Sequence, residues 1–270
     1  MYSPDAERVV PFMDAMRIEF GPRAILERYF RQAADRLAAR GITLYLSRDV
    51  GRLDKLGPDY DQAKPARFPA MDAALAGFGP DSWFTLEGRD ASLRIAFVSA
   101  ARLLRLRTNF RDELESLRLF YWDPKSQRDP LDGVEVTAPS AASVTHFAAL
   151  QGCFWVNPAL RGRGMIQVFP TLCRWYCCAL WDVDYAIGFM RKDQAERGLA
   201  RLYREPAPER WVRFQGRWRD DSYFVCNPRA AIEADMARQA EAAPRITRAN
   251  ELLETNRVPS TPRQGRISRS

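Results

Sequence analysis

Ten residues, Trp155-Val156-Asn157-Pro158-Ala159-Leu160-Arg161-Gly162-Arg163-Gly164, carry the clearest chemistry in the chain. They read as the end of a strand, a proline turn, a loop of glycine and arginine, and the entry to a long apolar-rich helix. The N–H groups of such a loop and the positive end of the helix converge on one point, which suits a phosphate or pyrophosphate. Arg-Gly-Arg-Gly alone is weak evidence in so arginine-rich a protein. Its position between a strand and an amphipathic helix favours an anion site over an ordinary loop.

Other reactive side chains are few. His146 is the only histidine, a general base if it faces the substrate side of its strand and a structural residue otherwise. Glu87 and Glu135 are further carboxylate bases, though neither stands apart from ordinary surface acids. Tyr203 shares a helical face with Ala195, Leu199 and Leu202, which equally fits core packing. Cys173, Cys177 and Cys178 crowd one helix, and with Cys153 and Cys226 they read as small buried residues in a reducing compartment. With one histidine and no Cys-x-x-Cys pair, no metal is expected.

The elements that must position these residues follow from periodicity and punctuation. Residues 6–40 read as helix, broken near Gly21-Pro22 and stopped at Gly41. A strand over 42–46 precedes a Gly-, Pro- and Asp-rich loop, 51–80, with a short helix near 71–76. Runs 82–87 and 91–106 read as strands joined by a hairpin turn at Gly88-Arg89-Asp90. A helix over 110–120, a loop over 123–133 and a strand over 134–136 lead to the strand 145–156 that feeds the opening motif. Beyond it the pattern predicts a helix over 166–181, a strand over 184–190, a helix over 193–204, strands over 211–218 and 222–226, and a helix over 229–242.

Bulk properties narrow the function classes. The chain has 270 residues, is 46% hydrophobic and carries a net charge of +7, enough for a sizeable core. Beyond Pro244, six arginines face two glutamates, so much of the excess charge sits in a tail that reads as disordered and basic. No dense basic stripe interleaves with aromatics, so a nucleic-acid partner is not expected. All but four of the 41 basic residues are arginine, a skew that fits a GC-rich bacterial genome. No apolar run crosses a bilayer and no leader precedes the first helix, so a soluble, cytoplasmic protein is expected.

Leu150 to Tyr203 resembles the GNAT superfamily of N-acetyltransferases. The order of strand, Arg-x-x-Gly loop, helix, strand and helix is shared. Arg161 and Gly164 match the first two fixed positions of the loop pattern Gln/Arg-x-x-Gly-x-Gly/Ala. Val156-Asn157-Pro158 stands where a Val-x-Pro lead-in is common, and Ala195 to Tyr203 resembles the helix whose tyrosine lies near the sulfur of coenzyme A. Two residues depart from the pattern. Ile166 stands where Gly or Ala is usual, and Pro170 removes a backbone donor early in the helix.

The resemblance implies an α/β (α+β) acyl-CoA N-acyltransferase fold: a mixed, mainly antiparallel sheet flanked by helices, splayed between the strands 145–156 and 184–190. A helical extension over 1–41 would pack on a domain over 42–243, followed by the tail 244–270. It implies acetyl-CoA, or another acyl-CoA, as cosubstrate and a small-molecule or peptide amine as acceptor. Phe154, Trp155 and Val156 would align the pantetheine, one N–H polarising the thioester carbonyl. Arg161, Gly162, Arg163, Gly164 and Met165 would hold the pyrophosphate, and Tyr203 would protonate the leaving thiolate. The alternative is a catalytically inactive CoA-binding sensor or scaffold. Whether the chain forms a homodimer is left open.

Overall fold

The computed structural model describes residues 9–57, 60, 68–162, 168–197, 209–215 and 220–240. The chain divides into units 1–232 and 233–270; in the second, 233–240 is described and is helical.

The described residues of the first unit form one nine-stranded sheet. Its strands are β1 (Val9–Pro11), β2 (Ile42–Ser47), β3 (Trp83–Asp90), β4 (Ile95–Asn109), β5 (Gly133–Val136), β6 (Thr145–Val156), β7 (Tyr185–Arg191), β8 (Glu209–Gln215) and β9 (Asp220–Pro228). The spatial order is β1-β2-β3-β4-β6-β7-β9-β8-β5. Every neighbouring pair is antiparallel except β6 and β7, which run parallel. The sheet is therefore mixed and mainly antiparallel, with helices on both faces.

Short helices α1 (Phe12–Ala15), α3 (Ala73–Ala76), α4 (Phe110–Glu115), α5 (Pro124–Gln127) and α7 (Lys192–Glu196) accompany two longer ones, α2 (Arg23–Ala38) and α6 (Phe169–Trp181). In α2 the buried residues Leu26, Phe30, Ala33 and Leu37 recur at helical spacing and form one stripe. That stripe meets α6, where Phe30 and Tyr176 lie edge to face and Tyr29 packs on Trp175 with ring centroids 4.1 Å apart. Helix α6 is buried from Phe169 to Leu180 except at Thr171 because it lies between α2 and the sheet. Phe97 of β4 stacks on Phe169, fixing this as the α6 face. The other face carries the core of Val98, Ala100, Leu104, Leu150, Trp155, Ile187 and Phe224, covered by α4 and by Leu53, Leu56, Tyr60, Ala70 and Met71.

Several sequence expectations change here. The hairpin turn lies at 91–94 rather than at Gly88-Arg89-Asp90, because Asp90 accepts hydrogen bonds from the N–H groups of Ser92 (2.9 Å) and Arg94 (3.0 Å). Gly88 instead makes room within the sheet. A Cβ there would stand 1.9 Å from Cε1 of Phe97, whose ring occupies that space. The N-terminal segment contains an edge strand, β1, as well as helix. Three residues are too few to show a strand alternation against the helical pattern that follows. Helix α4 ends at Glu115, short of Phe120, because Leu117 takes a left-handed φ of 62°.

Glu113 shows how a buried acid is kept charged in this core. Burial alone would raise its pKa, but Arg118 (Nε, 3.0 Å) and the amides of Arg107 (3.0 Å) and Thr108 (3.3 Å) outweigh that and hold it below the usual carboxylate range.

Gly88→Ala should displace the Phe97 ring and disturb its stack on Phe169. A loss of about 1–3 kcal/mol is expected, as for overpacked cores, read as a lower urea midpoint at unchanged slope. An unchanged midpoint would show that the ring moves freely.

Candidate functional site

The parallel pair β6/β7 runs for only four residues, from Ala148↔Tyr185 to Gln151↔Gly188. Beyond that point β6 continues to Val156 beside β4 and β7 continues to Arg191 beside β9. The two strands therefore part like a fork. Past Gln151 the β7-facing edge of β6 has no partner strand among the described residues.

Three local features shape the fork. Gly188 stands so close to β6 that a Cβ on it would lie 3.1 Å from the backbone oxygen of Gln151. Cys153 has a φ of 55°, and the β4/β6 register shifts between Val98 and Ala100, so a bulge sits two residues past the fork and re-aims the strand. Long β4 supports β6 past the bulge, pairing Val98 with Trp155 and Phe97 with Val156.

The turn after β6 is pinned by Asn157. Its backbone N–H donates to the carbonyl of Ala96 (2.9 Å), its Nδ2 donates to the carbonyl of Ile95 (3.3 Å), and its Oδ1 accepts from Ala159 N–H (3.0 Å). A single 3-10 turn, Pro158–Leu160, follows. Arg161 is exposed and folds its Nε back on the carbonyl of Val156 (3.2 Å). Gly162 takes a φ of 77° with open space where a Cβ would be, a conformation favouring glycine. Helix α6 then begins at Phe169 with Pro170 in its first turn. There the missing N–H is one the helix could not have used, so Pro170 starts the helix rather than bending it.

The structure brings together Phe154, Trp155, Val156, Arg161 and Gly162 at one end of β6. Trp155 is buried against Tyr60, edge to face at 5.6 Å, while Phe154 and Val156 are partly exposed. Arg163, Gly164, Met165, Ile166 and Tyr203 lie outside the described residues. His146 is not brought to this end. It is exposed near the opposite end of β6, its Nδ1 within 3.0 Å of Thr145 Oγ1, six residues and about 20 Å along the strand from Gly152.

Glu87 is fully buried, and its carboxylate is held by Arg52 (Nη2, 3.0 Å) and Arg89 (Nη2, 2.7 Å; Nε, 3.1 Å). It is a structural ion cluster rather than a base open to substrate. Glu135 lies on β5 with its side chain exposed. None of the five cysteines forms a disulfide; four are buried and Cys153 is partly buried, and burial pushes the thiol of Cys177 up. No group of side chains suited to a metal occurs among the described residues, and no helix there is long and apolar enough to cross a membrane.

Sequence reasoning missed Gln151. It is 3% exposed, and neither its amide nitrogen nor its oxygen has a hydrogen-bond partner among the described residues. It shares the α6 face with Ala101, its cross-strand partner, and with Ser99, whose hydroxyl is also buried and unpartnered there. Buried polar groups are normally paired, so these two stand out beside the fork. The available signal was a lone polar residue closing the apolar run Ala148-Ala149-Leu150.

No known protein family and no curated protein matches the chain. Similar solved structures include NAA60 of Arabidopsis thaliana in complex with acetyl-CoA, at 13% identity and a TM-score of 0.42 over 70% of this chain and 99% of that one. RimJ of Mycobacterium smegmatis in complex with CoA-disulfide is 11% identical, with a TM-score of 0.42 over 75% and 90%. A chimera of the spermidine N-acetyltransferase SpeG from Vibrio cholerae and hSSAT is 11% identical, with a TM-score of 0.39 over 71% and 98%. Because these scores lie below 0.5, the functional reading rests on the geometry of the chain itself.

Asn157→Ala removes two side-chain hydrogen bonds that pin the turn to the end of β6. A stability loss of about 1 kcal/mol is expected, together with weaker binding of any ligand seated at Arg161-Gly162. Thermal unfolding and a CoA titration of this variant would check both effects; undiminished CoA binding would separate the turn from the site.

Proposed function

We propose that the protein is a GNAT-type N-acyltransferase, which moves an acetyl or other acyl group from acyl-CoA to an amine. The observation that carries this reading is the β6/β7 fork, with the Cys153 bulge and the pinned Arg161-Gly162 loop following in the same strand. An elongated ligand with amide groups along its length and a phosphate-bearing end fits that sequence of features. Past the fork β6 has no partner strand among the described residues, the Gln151 amide has no hydrogen-bond partner among them, and the arginine–glycine loop stands at the outer end.

Bound acyl-CoA supplies an activated acyl carbonyl. The chain supplies the rest: a β6 N–H near the bulge to polarise that carbonyl, loop amides for the pyrophosphate, and the Tyr203 hydroxyl as proton donor to the departing sulfur. The neutral amine attacks the acyl carbon, the C–S bond breaks, and the proton lost by the nitrogen passes through solvent to restore the Tyr203 hydroxyl. His146, about 20 Å along β6, takes no part in this scheme.

A second reading, a CoA-binding protein without turnover, is favoured by one observation. The buried carboxylate of Glu87 is committed to two arginines, so it offers no base for the incoming amine.

One pair of variants separates the readings. Arg161→Ala should weaken acetyl-CoA binding with little change in fold, seen as a smaller ligand-induced rise in Tm. Tyr203→Phe should leave binding intact and lower kcat for thiol release by about a hundredfold or more. Acetyl-CoA binding with no thiol release from any amine would favour the inactive reading; no binding at all would remove both.

A further inference from the structure

Arg102 of β4 is 9% exposed and, among the described residues, has no carboxylate beside it. Its Nη1 donates to two backbone carbonyls, Ala70 (2.6 Å) and Leu119 (3.1 Å), and its guanidinium carbon lies 4.4 Å from the centre of the Phe78 ring. Among the described residues the Nε is buried without a partner, and Nη2 makes no hydrogen bond. One edge of the guanidinium is thus committed to the backbone and one plane to an aromatic ring. The Nε–Nη2 edge is unused, and that edge matches the two oxygens of a carboxylate.

A buried cation without a counter-charge is costly, because its hydration is lost and no opposite charge compensates. Burial alone lowers the pKa of Arg102 to about 10, which still leaves it charged at neutral pH. The contrast with Arg52 and Arg89 is direct, since those two share the carboxylate of Glu87. In the apolar strand Ala96 to Leu104, Arg102 is the one charged residue.

Its position ties it to the fork. Arg102 pairs with Leu150, and Gly152 pairs with Ala100, so Arg102 and Gly152 are diagonal neighbours, about 7–8 Å apart between Cα atoms. Two consecutive residues bridge them: Ala70 accepts from Arg102, and a Cβ on Gly152 would touch Cε of Met71 at 3.5 Å. Alternation along β4 places Arg102 on the face opposite Phe97 and α6.

We propose that Arg102 is a specificity-determining residue that receives a carboxylate on the acceptor, so that the preferred amines are amino acids or other carboxylate-bearing amines. This rests on the acyltransferase reading for the word acceptor, though the carboxylate site stands on its own geometry. A single planar guanidinium edge in a nearly dry site suits a monoanion that is itself planar. A phosphate dianion would leave one charge unmet.

The test uses the full chain, with benzoate against its neutral isostere benzamide in thermal unfolding. It adds paired acceptors that differ only in the carboxylate: glycine against methylamine, and L-phenylalanine against phenethylamine. Benzoate should raise the Tm by about 2–4 °C where benzamide does not. Arg102→Lys keeps the charge and donors for the Ala70 and Leu119 carbonyls but lacks the second edge, and should lose that rise. In the acyl-transfer assay the carboxylate-bearing partner should be preferred by about tenfold or more in kcat/KM. Arg102→Lys should erase the preference by raising KM for the carboxylate acceptor alone.

Equal stabilisation by benzoate and benzamide in the unaltered protein overturns the proposal, whatever the variant does. So does acyl transfer that is indifferent to the carboxylate. If benzoate binds but acetyl-CoA does not, the acyltransferase reading fails while the carboxylate site stands.

Discussion

Parallel pairing between β6 and β7 stops after Gln151↔Gly188, and most of what distinguishes this molecule depends on how that break is sustained. Two strands with complementary edges would normally keep pairing, since unpaired backbone groups in a protein interior are costly. Here each strand beyond the break is held by its other neighbour, β6 by long β4 and β7 by β9. Gly188 allows the close approach at the last pair, and the bulge at Cys153 turns β6 away beyond it. The opening is therefore built into the strand register rather than left by a missing side chain.

Both faces of the sheet serve that opening. On one, the Phe97–Phe169 stack fixes the first turn of α6 against β4, so the loop leaving Val156 spans a set distance. On the other, the segment carrying Ala70 and Met71 lies over Gly152 and Arg102. Interior polar groups differ in how they are satisfied. Glu87 and Glu113 are surrounded by donors and stabilise the frame. Gln151, Ser99 and the Nε of Arg102, polar groups without partners among the described residues, belong to the strands that meet at the opening.

The long strand 145–156, the parallel strand after α6 and the final two strands were legible in the sequence because each carries a strong local signal. What escaped depends on contacts distant in the chain. Gly88 looks like a turn residue until Phe97, nine residues later, is seen occupying the space of its missing side chain. Cys153 gives no hint of its left-handed backbone, since a bulge is a property of two strands together. Likewise β1 is too short to announce itself. His146 was attractive as the only histidine in the chain, yet composition says nothing of which end of a twelve-residue strand it occupies.

Amide hydrogen exchange on the full chain, with and without acetyl-CoA, tests the central claim most directly. Ligand bound in the fork should slow exchange at residues 152–156 and at Arg161-Gly162, while the paired segment 148–151 changes little. Unchanged exchange in 152–156 with protection appearing elsewhere would show that the parted strands are not the acyl-CoA site.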